Sequence, residues 1–299
     1  RPTSHALARI STAVDPHARI SAPATVDRPP REPARSSVES PTNLRGDPTT
    51  GQFSFEARPD LCVPDMFLFG GATASAVSEA IEATANQPLA WVTTQFQQRI
   101  QPGATVHLHV ARDVERRRLT QCRVEGIVEG ETVFRALGAT AARESAATIW
   151  GPPMPDVPAP ADSPPLNFRE GWMESGFPSR FEWRTASGRL FADSQQAKNQ
   201  DGRACVWVRW PGHELGSAPS QAYLSDLGMT TSDSASEGEG RGGVSLDNTL
   251  RIVSTQPTEW LLLECALRAD TGLAHVEISI WSESGDLMGL HTTTALNVR

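Results

Sequence analysis

The run "SLDNTLRIV" at residues 245–253 sets a carboxylate, a hydroxyl and a guanidinium at alternate positions. Read with period two, Asp247, Thr249 and Arg251 share one face, while Leu246, Leu250 and Ile252 share the other. Asn248 is the one polar residue among the apolar set. An aspartate beside a hydroxyl can orient and deprotonate a water molecule, which is what hydrolysis of an activated acyl group needs. A strand with one wet face carries the same pattern, so both readings stand at this point.

Further candidates lie elsewhere in the chain. Gly70 and Gly71 precede a helical pattern whose free N–H groups could polarise a carbonyl; a tight turn into a packed helix explains them as well. Arg116, Arg117 and Arg118 crowd a hairpin tip, where they could meet phosphate groups or simply face solvent. Asp226, in a short helical segment, reads as a surface or capping residue. His107 and His109 alternate along one strand without a third ligand nearby, which favours a polar sheet face over a metal site. No GxSxG elbow, P-loop or dinucleotide fingerprint occurs, and "GEGRGG" lacks the strand–helix context it would need, so a serine hydrolase is disfavoured.

These residues must be held by regular elements. In "FGGATASAVSEAIEATANQP", Val77, Ala80, Ile81 and Thr84 recur at helical spacing, and Asn86 with Pro88 ends the run. Four strand-like runs follow ("WVTTQFQQRI", "ATVHLHVAR", "LTQCRVEGIV", "TVFRALGATAA"), joined by hairpin-sized turns including "DVERRR". The proline-dense "GPPMPDVPAPADSPP" reads as a linker that cannot pair in a sheet. Beyond it the order repeats: two strands, a short helix in "APSQAYLSDLGM", a loop in "TTSDSASEGEGRGG", then "SLDNTLRIV", "EWLLLECALRA", "AHVEISIWSE" and "LMGLHTTTALNVR". The expected organisation is a disordered segment over 1–48, a first domain over 49–149, the linker over 150–169 and a second domain over 170–299. Two helix-plus-antiparallel-sheet units of α+β class would then form a pseudo-dimer.

Composition limits the function. A net charge of −8 over 299 residues disfavours nucleic acid and anionic membranes, which reward basic surfaces. No apolar run reaches the roughly 20 residues of a membrane span. Cys62, Cys122, Cys205 and Cys265 are far apart, which favours isolated thiols of a reducing compartment, the cytoplasm, over a disulfide framework or a zinc site. The arginine-rich N-terminal segment lacks a signal peptide's apolar centre, and its acids argue against a transit peptide. The eight tryptophans lie mostly in strands, as core or interface anchors.

The segments "FGGATASAVSEA", "QPLAWVTTQF", "RIQPG", "MPDVPAP", "QAYLSDLGM", "SLDNTLRIVSTQPTEWLLLE" and "GLAHVEISIWSESGDLMG", in this order, resemble the acyl-CoA thioesterases of the TesB type. The resemblance runs from about Phe53 to Arg299 and implies a double hot-dog fold. It also implies an aspartate, a glutamine and a Ser/Thr hydroxyl around one attacking water, with no covalent serine. The aspartate falls on Asp247. Leu267 and Arg268 occupy the hydroxyl's place, with Thr271 the nearest hydroxyl, and the glutamine's place is taken by Thr293 or Thr294, depending on the alignment. A threonine can hold a water by one hydroxyl but lacks an amide's separate donor and acceptor.

The expected function is hydrolysis of an acyl-CoA to a carboxylic acid and free coenzyme A, with backbone amides at a helix start polarising the thioester. No metal or redox cofactor is implied, and a homo-oligomer is a mild expectation. The alternative is an acyl-thioester-binding protein that kept the fold and lost the water-holding set. A hydratase on a similar fold would want an Asp–His pair at a helix start, and neither helical segment has a histidine.

Overall fold

The computed structural model describes residues 40–142, 151–166, 174–188, 202–228, 243–269 and 272–297. Most of the segment expected to be disordered, the serine- and glycine-rich loop at 229–242 and Thr271 lie outside these.

The first helix, α1 (Gly70–Ala85), follows the predicted spacing: Val77, Ala80, Ile81 and Thr84 are all buried. It is apolar or small nearly all round, the pattern of a helix enclosed by other elements rather than lying on a surface. Asn86 ends it in the left-handed conformation, which asparagine tolerates. Antiparallel strands enclose it: β1 (Arg45–Asp47), β2 (Gln52–Glu56), β3 (Leu89–Phe96), β4 (Thr105–Arg116), β5 (Leu119–Val128) and β6 (Glu131–Ala141). The second half repeats the plan with β7 (Glu182–Gly188), β8 (Arg203–Arg209), α2 (Ala218–Ser225), β9 (Gly243–Ser245), β10 (Asp247–Ile252), β11 (Trp260–Ala269), β12 (Leu273–Ser282) and β13 (Leu287–Asn297).

One sheet of 13 strands contains them all, in the order β1-β2-β4-β5-β6-β3-β10-β13-β12-β11-β8-β7, with β9 paired to β13. Neither half is a simple meander. β3 skips β4 and β5 to pair with β6, and β10 skips β11 and β12 to pair with β13. The same permutation in both halves marks a duplicated plan, and the halves join where β3 pairs with β10. Both helices lie on the inner face and pack against each other there.

Three boundaries differ from expectation. Ordered structure begins before residue 49: β1 pairs with β2, Thr42 is fully buried, and Ser40 Oγ donates to Glu79 on α1. β4 continues to Arg116, so only Arg117 and Arg118 make the turn in "DVERRR". The proline-rich stretch, expected to stay unpaired, is tied to the second half. Pro158 accepts from the indole N–H of Trp207 at 2.9 Å, and Met154 and Val157 cover Trp207, Trp260, Leu262 and Trp281. Beside β7, Thr185 N–H donates to Pro164 and Leu166 N–H donates to Trp183. Those bonds use a proline carbonyl and a leucine amide, so the missing proline N–H is no obstacle.

All four cysteines are free and buried. Burial pushes their thiols up, Cys62 to about 11, so they behave as small apolar core residues.

Candidate active site

Asp247 lies at a β-bulge. Ser245 pairs with Ala295 and Thr249 with Thr292, so four steps along β9–β10 oppose three along β13. The extra residue is Leu246, whose N–H donates to Thr294 O and whose carbonyl accepts from Phe96 N. The bulge shifts the phase of the alternation, and Leu246 is exposed instead of joining Leu250 and Ile252 in the core. It would also leave the Thr294 N–H without a main-chain acceptor. Asp247 fills that place, its Oδ1 accepting from Thr294 N at 2.8 Å. A half-buried carboxylate is thus fixed at the join between the two halves by the main chain of the next strand.

Thr293 and Thr294 have separate surroundings. Thr294 adjoins Asp247, and its hydroxyl lies 3.4 Å from His275 Nδ1 on β12. Thr293 is buried with the inner-face residues, its hydroxyl 2.9 Å from His291 Nε2. The structure therefore groups Asp247 with Thr294 and sets Thr293 apart. His275 is not among the expected site residues, although the alternation in "LAHVEISIWS" puts it on the polar face with Glu277. At the position expected to hold a hydroxyl, Leu267 is buried and Arg268 pairs with Glu277 at 2.6 Å.

These placements predict opposite phenotypes for two isosteric variants. Thr293→Val leaves a buried imidazole nitrogen without its partner. It should lower stability by about 1–3 kcal/mol in denaturant titration. Thr294→Val should leave stability nearly unchanged and act on turnover.

Gly70 and Gly71 open α1, after Phe69 as N-cap. Neither glycine has a positive φ, so a tight turn is not what requires them. Close approach is. A Cβ on Gly71 would overlap the carbonyl oxygen of Tyr223 on α2, and one on Gly70 would run into the carboxylate of Asp226. The amide of Gly71, expected to be open, is bonded to that carboxylate.

Asp226 is a further candidate beside this helix start. It is 5% exposed, not a surface residue. Its Oδ1 accepts from Ser245 Oγ at 3.0 Å and from Asn248 Nδ2 at 3.4 Å. Burial pushes the carboxyl up to about 7, partly offset by those donors and by the Gly71 amide; the nearby charge of Asp247 adds to the rise. Asp226 falls within "QAYLSDLGM", a segment that carries the family resemblance, but its burial depends on the facing half of the molecule.

Asp226 also marks the pH dependence of stability. The folded chain keeps this proton up to about pH 7, whereas the unfolded chain releases it near 3.8. The folded state thus binds more protons across that window, and this contribution to stability falls as pH rises from about 4 to about 7. Buried His291 has the opposite slope. Its pKa is lowered to about 3 by burial, so its contribution falls as pH drops below 6.5. The two slopes oppose each other between about pH 4 and 6.5. Asp226→Asn should expose the histidine's slope. The variant's stability relative to wild type should drop on acidification by on the order of 1 kcal/mol per pH unit, measured by urea unfolding.

Arg116, Arg117 and Arg118 lie at the other end of α1. Gln87, just past the helix, donates to Arg117 O. A 16-residue helix separates that end from Gly70 by about 24 Å. The structure does not bring this hairpin tip to Asp247. No helix is long and apolar enough to cross a membrane, and no cluster of metal-ligating side chains occurs among the described residues.

Comparison with known proteins agrees with this architecture. A chain from Novosphingobium aromaticivorans with a provisional thioesterase name is 26% identical, with a TM-score of 0.73 over 85% of this chain and 98% of that one. A hot-dog protein of unknown function from Alicyclobacillus acidocaldarius is 18% identical, with a TM-score of 0.72 over 88% and 99%. The acyl-CoA thioesterase II TesB2 of Mycobacterium marinum is also 18% identical, with a TM-score of 0.63 over 82% and 92%. No curated protein matches the chain. The double hot-dog expectation stands, as two helix-and-sheet halves in one α+β molecule. The model for the acyl-CoA thioesterase N-terminal domain matches residues 58–141 and that for the C-terminal domain residues 160–296, so the chain belongs to the acyl-CoA thioesterase family.

Proposed function

We propose that this thioester hydrolase cleaves an acyl-CoA to a carboxylic acid and free coenzyme A by direct attack of water, without a covalent acyl-enzyme. Asp247 is the general base and orients the water; Thr294 helps to hold it. The observation that carries this reading is the bulge: it fixes the carboxylate of Asp247 beside Thr294 at the join of the two halves. A carboxylate so held costs little reorganisation when it takes a proton. Thr294→Val is expected to lower kcat roughly tenfold, the lower end of what one such group contributes.

The residues at the remaining positions of the water-holding set favour a second reading, an acyl-thioester-binding protein without turnover. The Leu267 side chain offers no hydrogen bond, and Arg268 is engaged by Glu277. Incubation with short-, medium- and long-chain acyl-CoAs separates the two. Equimolar acid and free thiol support hydrolysis. Saturable binding with no product above the buffer rate supports the binder. A labelled acyl group trapped covalently on the protein would contradict direct water attack.

A further inference from the structure

We propose that Asp226 is a positioning residue for hydrolysis, tying the start of α1 in one half to Ser245 and Asn248, which flank the bulge that presents Asp247 in the other. The proposal rests on the thioesterase reading above. Three donors from three places converge on one carboxylate: the Gly71 amide, the Ser245 hydroxyl and the Asn248 amide. Ser245 and Asn248 lie on either side of the Leu246–Asp247 step, so Asp226 braces both sides of the bulge. Gly70 keeps the space beside this carboxylate free, since a methyl group there would displace it.

A carboxylate can accept all three bonds, whereas a protonated carboxyl gives up part of that capacity to its own O–H. The brace is therefore complete in the charged form. Because burial sets that change near pH 7, it falls within the working range of a neutral enzyme. The titratable groups on the elements packed around Asp226 are Asp247 of β10, Tyr223 of α2 and His291 of β13, with Glu79 and Glu82 farther along α1. Arg251 of β10 is exposed, and His275 and Glu277 of β12 are on the exposed face. Among the described residues no cation pairs with Asp226, so its charge depends on the three neutral donors.

The test is the pH profile of kcat and kcat/KM for acyl-CoA hydrolysis by the full chain. Wild type should lose activity below about pH 7. Asp226→Asn should lack that limb and show kcat reduced roughly tenfold to a hundredfold, the size of effect expected from a slightly misplaced base. Ser245→Ala removes one donor to the charged form and leaves the carboxylate in place. It should move the limb to higher pH, and it keeps the test decisive if Asp226→Asn does not fold. An Asp226→Asn profile matching wild type, a lower kcat with the limb unmoved, or a Ser245→Ala limb that stays put would each overturn the proposal. Absence of thiol release by wild type would be a different result, removing the thioesterase reading and this inference together.

Discussion

Asp247→Asn is expected to lower kcat by about 100- to 10,000-fold while leaving the fold intact. The asparagine carbonyl can still accept from the Thr294 amide, so the bulge stays closed, but the side chain can no longer take a proton at neutral pH. Asp247→Ala removes both functions. It should lose a comparable amount of activity and in addition about 1 kcal/mol of stability, the usual worth of one such hydrogen bond. Thermal unfolding and initial rates on the same preparations read the two effects apart. A purely architectural aspartate would give an active Asn variant and a weakened Ala variant.

Gly71→Ala is expected to have the largest effect on stability. Its methyl group would occupy the position of the Tyr223 carbonyl oxygen, which belongs to the main chain of α2 and cannot turn aside as a side chain could. The two helices would have to separate, in a region where Phe69 stacks on Phe177 at 3.9 Å and meets the ring of Tyr223. Interiors at crystal-like density resist such shifts, so a loss of about 3 kcal/mol or more, or failure to fold, should follow. Gly70→Ala is the informative comparison. The methyl group there meets the side chain of Asp226, which can move, so activity should suffer more than stability. Denaturant titration of the two variants tests the order.

What could be read from the sequence was what depends on near neighbours in the chain. Val77, Ala80, Ile81 and Thr84 placed α1, and alternation placed the long strands, since burial of one face imposes period two or 3.6 whatever the partner. The missed features depend on residues distant in sequence. Nothing in "FGGATASAV" shows that α2, some 150 residues on, needs the space at Gly71. The alternation in "SLDNTLRIV" put Leu246 in the core because the bulge is visible only when the pairing with β13 is counted. The linker's attachment rests on Trp207, whose indole finds its acceptor about 50 residues back. The candidate site divides in the same way: Asp247 was found from local pattern and resemblance, whereas the choice between Thr293 and Thr294, and the burial of Asp226, needed the register and the facing half.

The most direct measurement is release of free thiol from short-, medium- and long-chain acyl-CoAs by wild type and Asp247→Asn at equal concentration. Attack by a water that Asp247 activates predicts turnover of at least one chain-length class by wild type and its loss, by a factor of about 100 or more, in the variant. Equal rates in the two proteins would contradict it and leave the Asp247 carboxylate as the closure of a β-bulge.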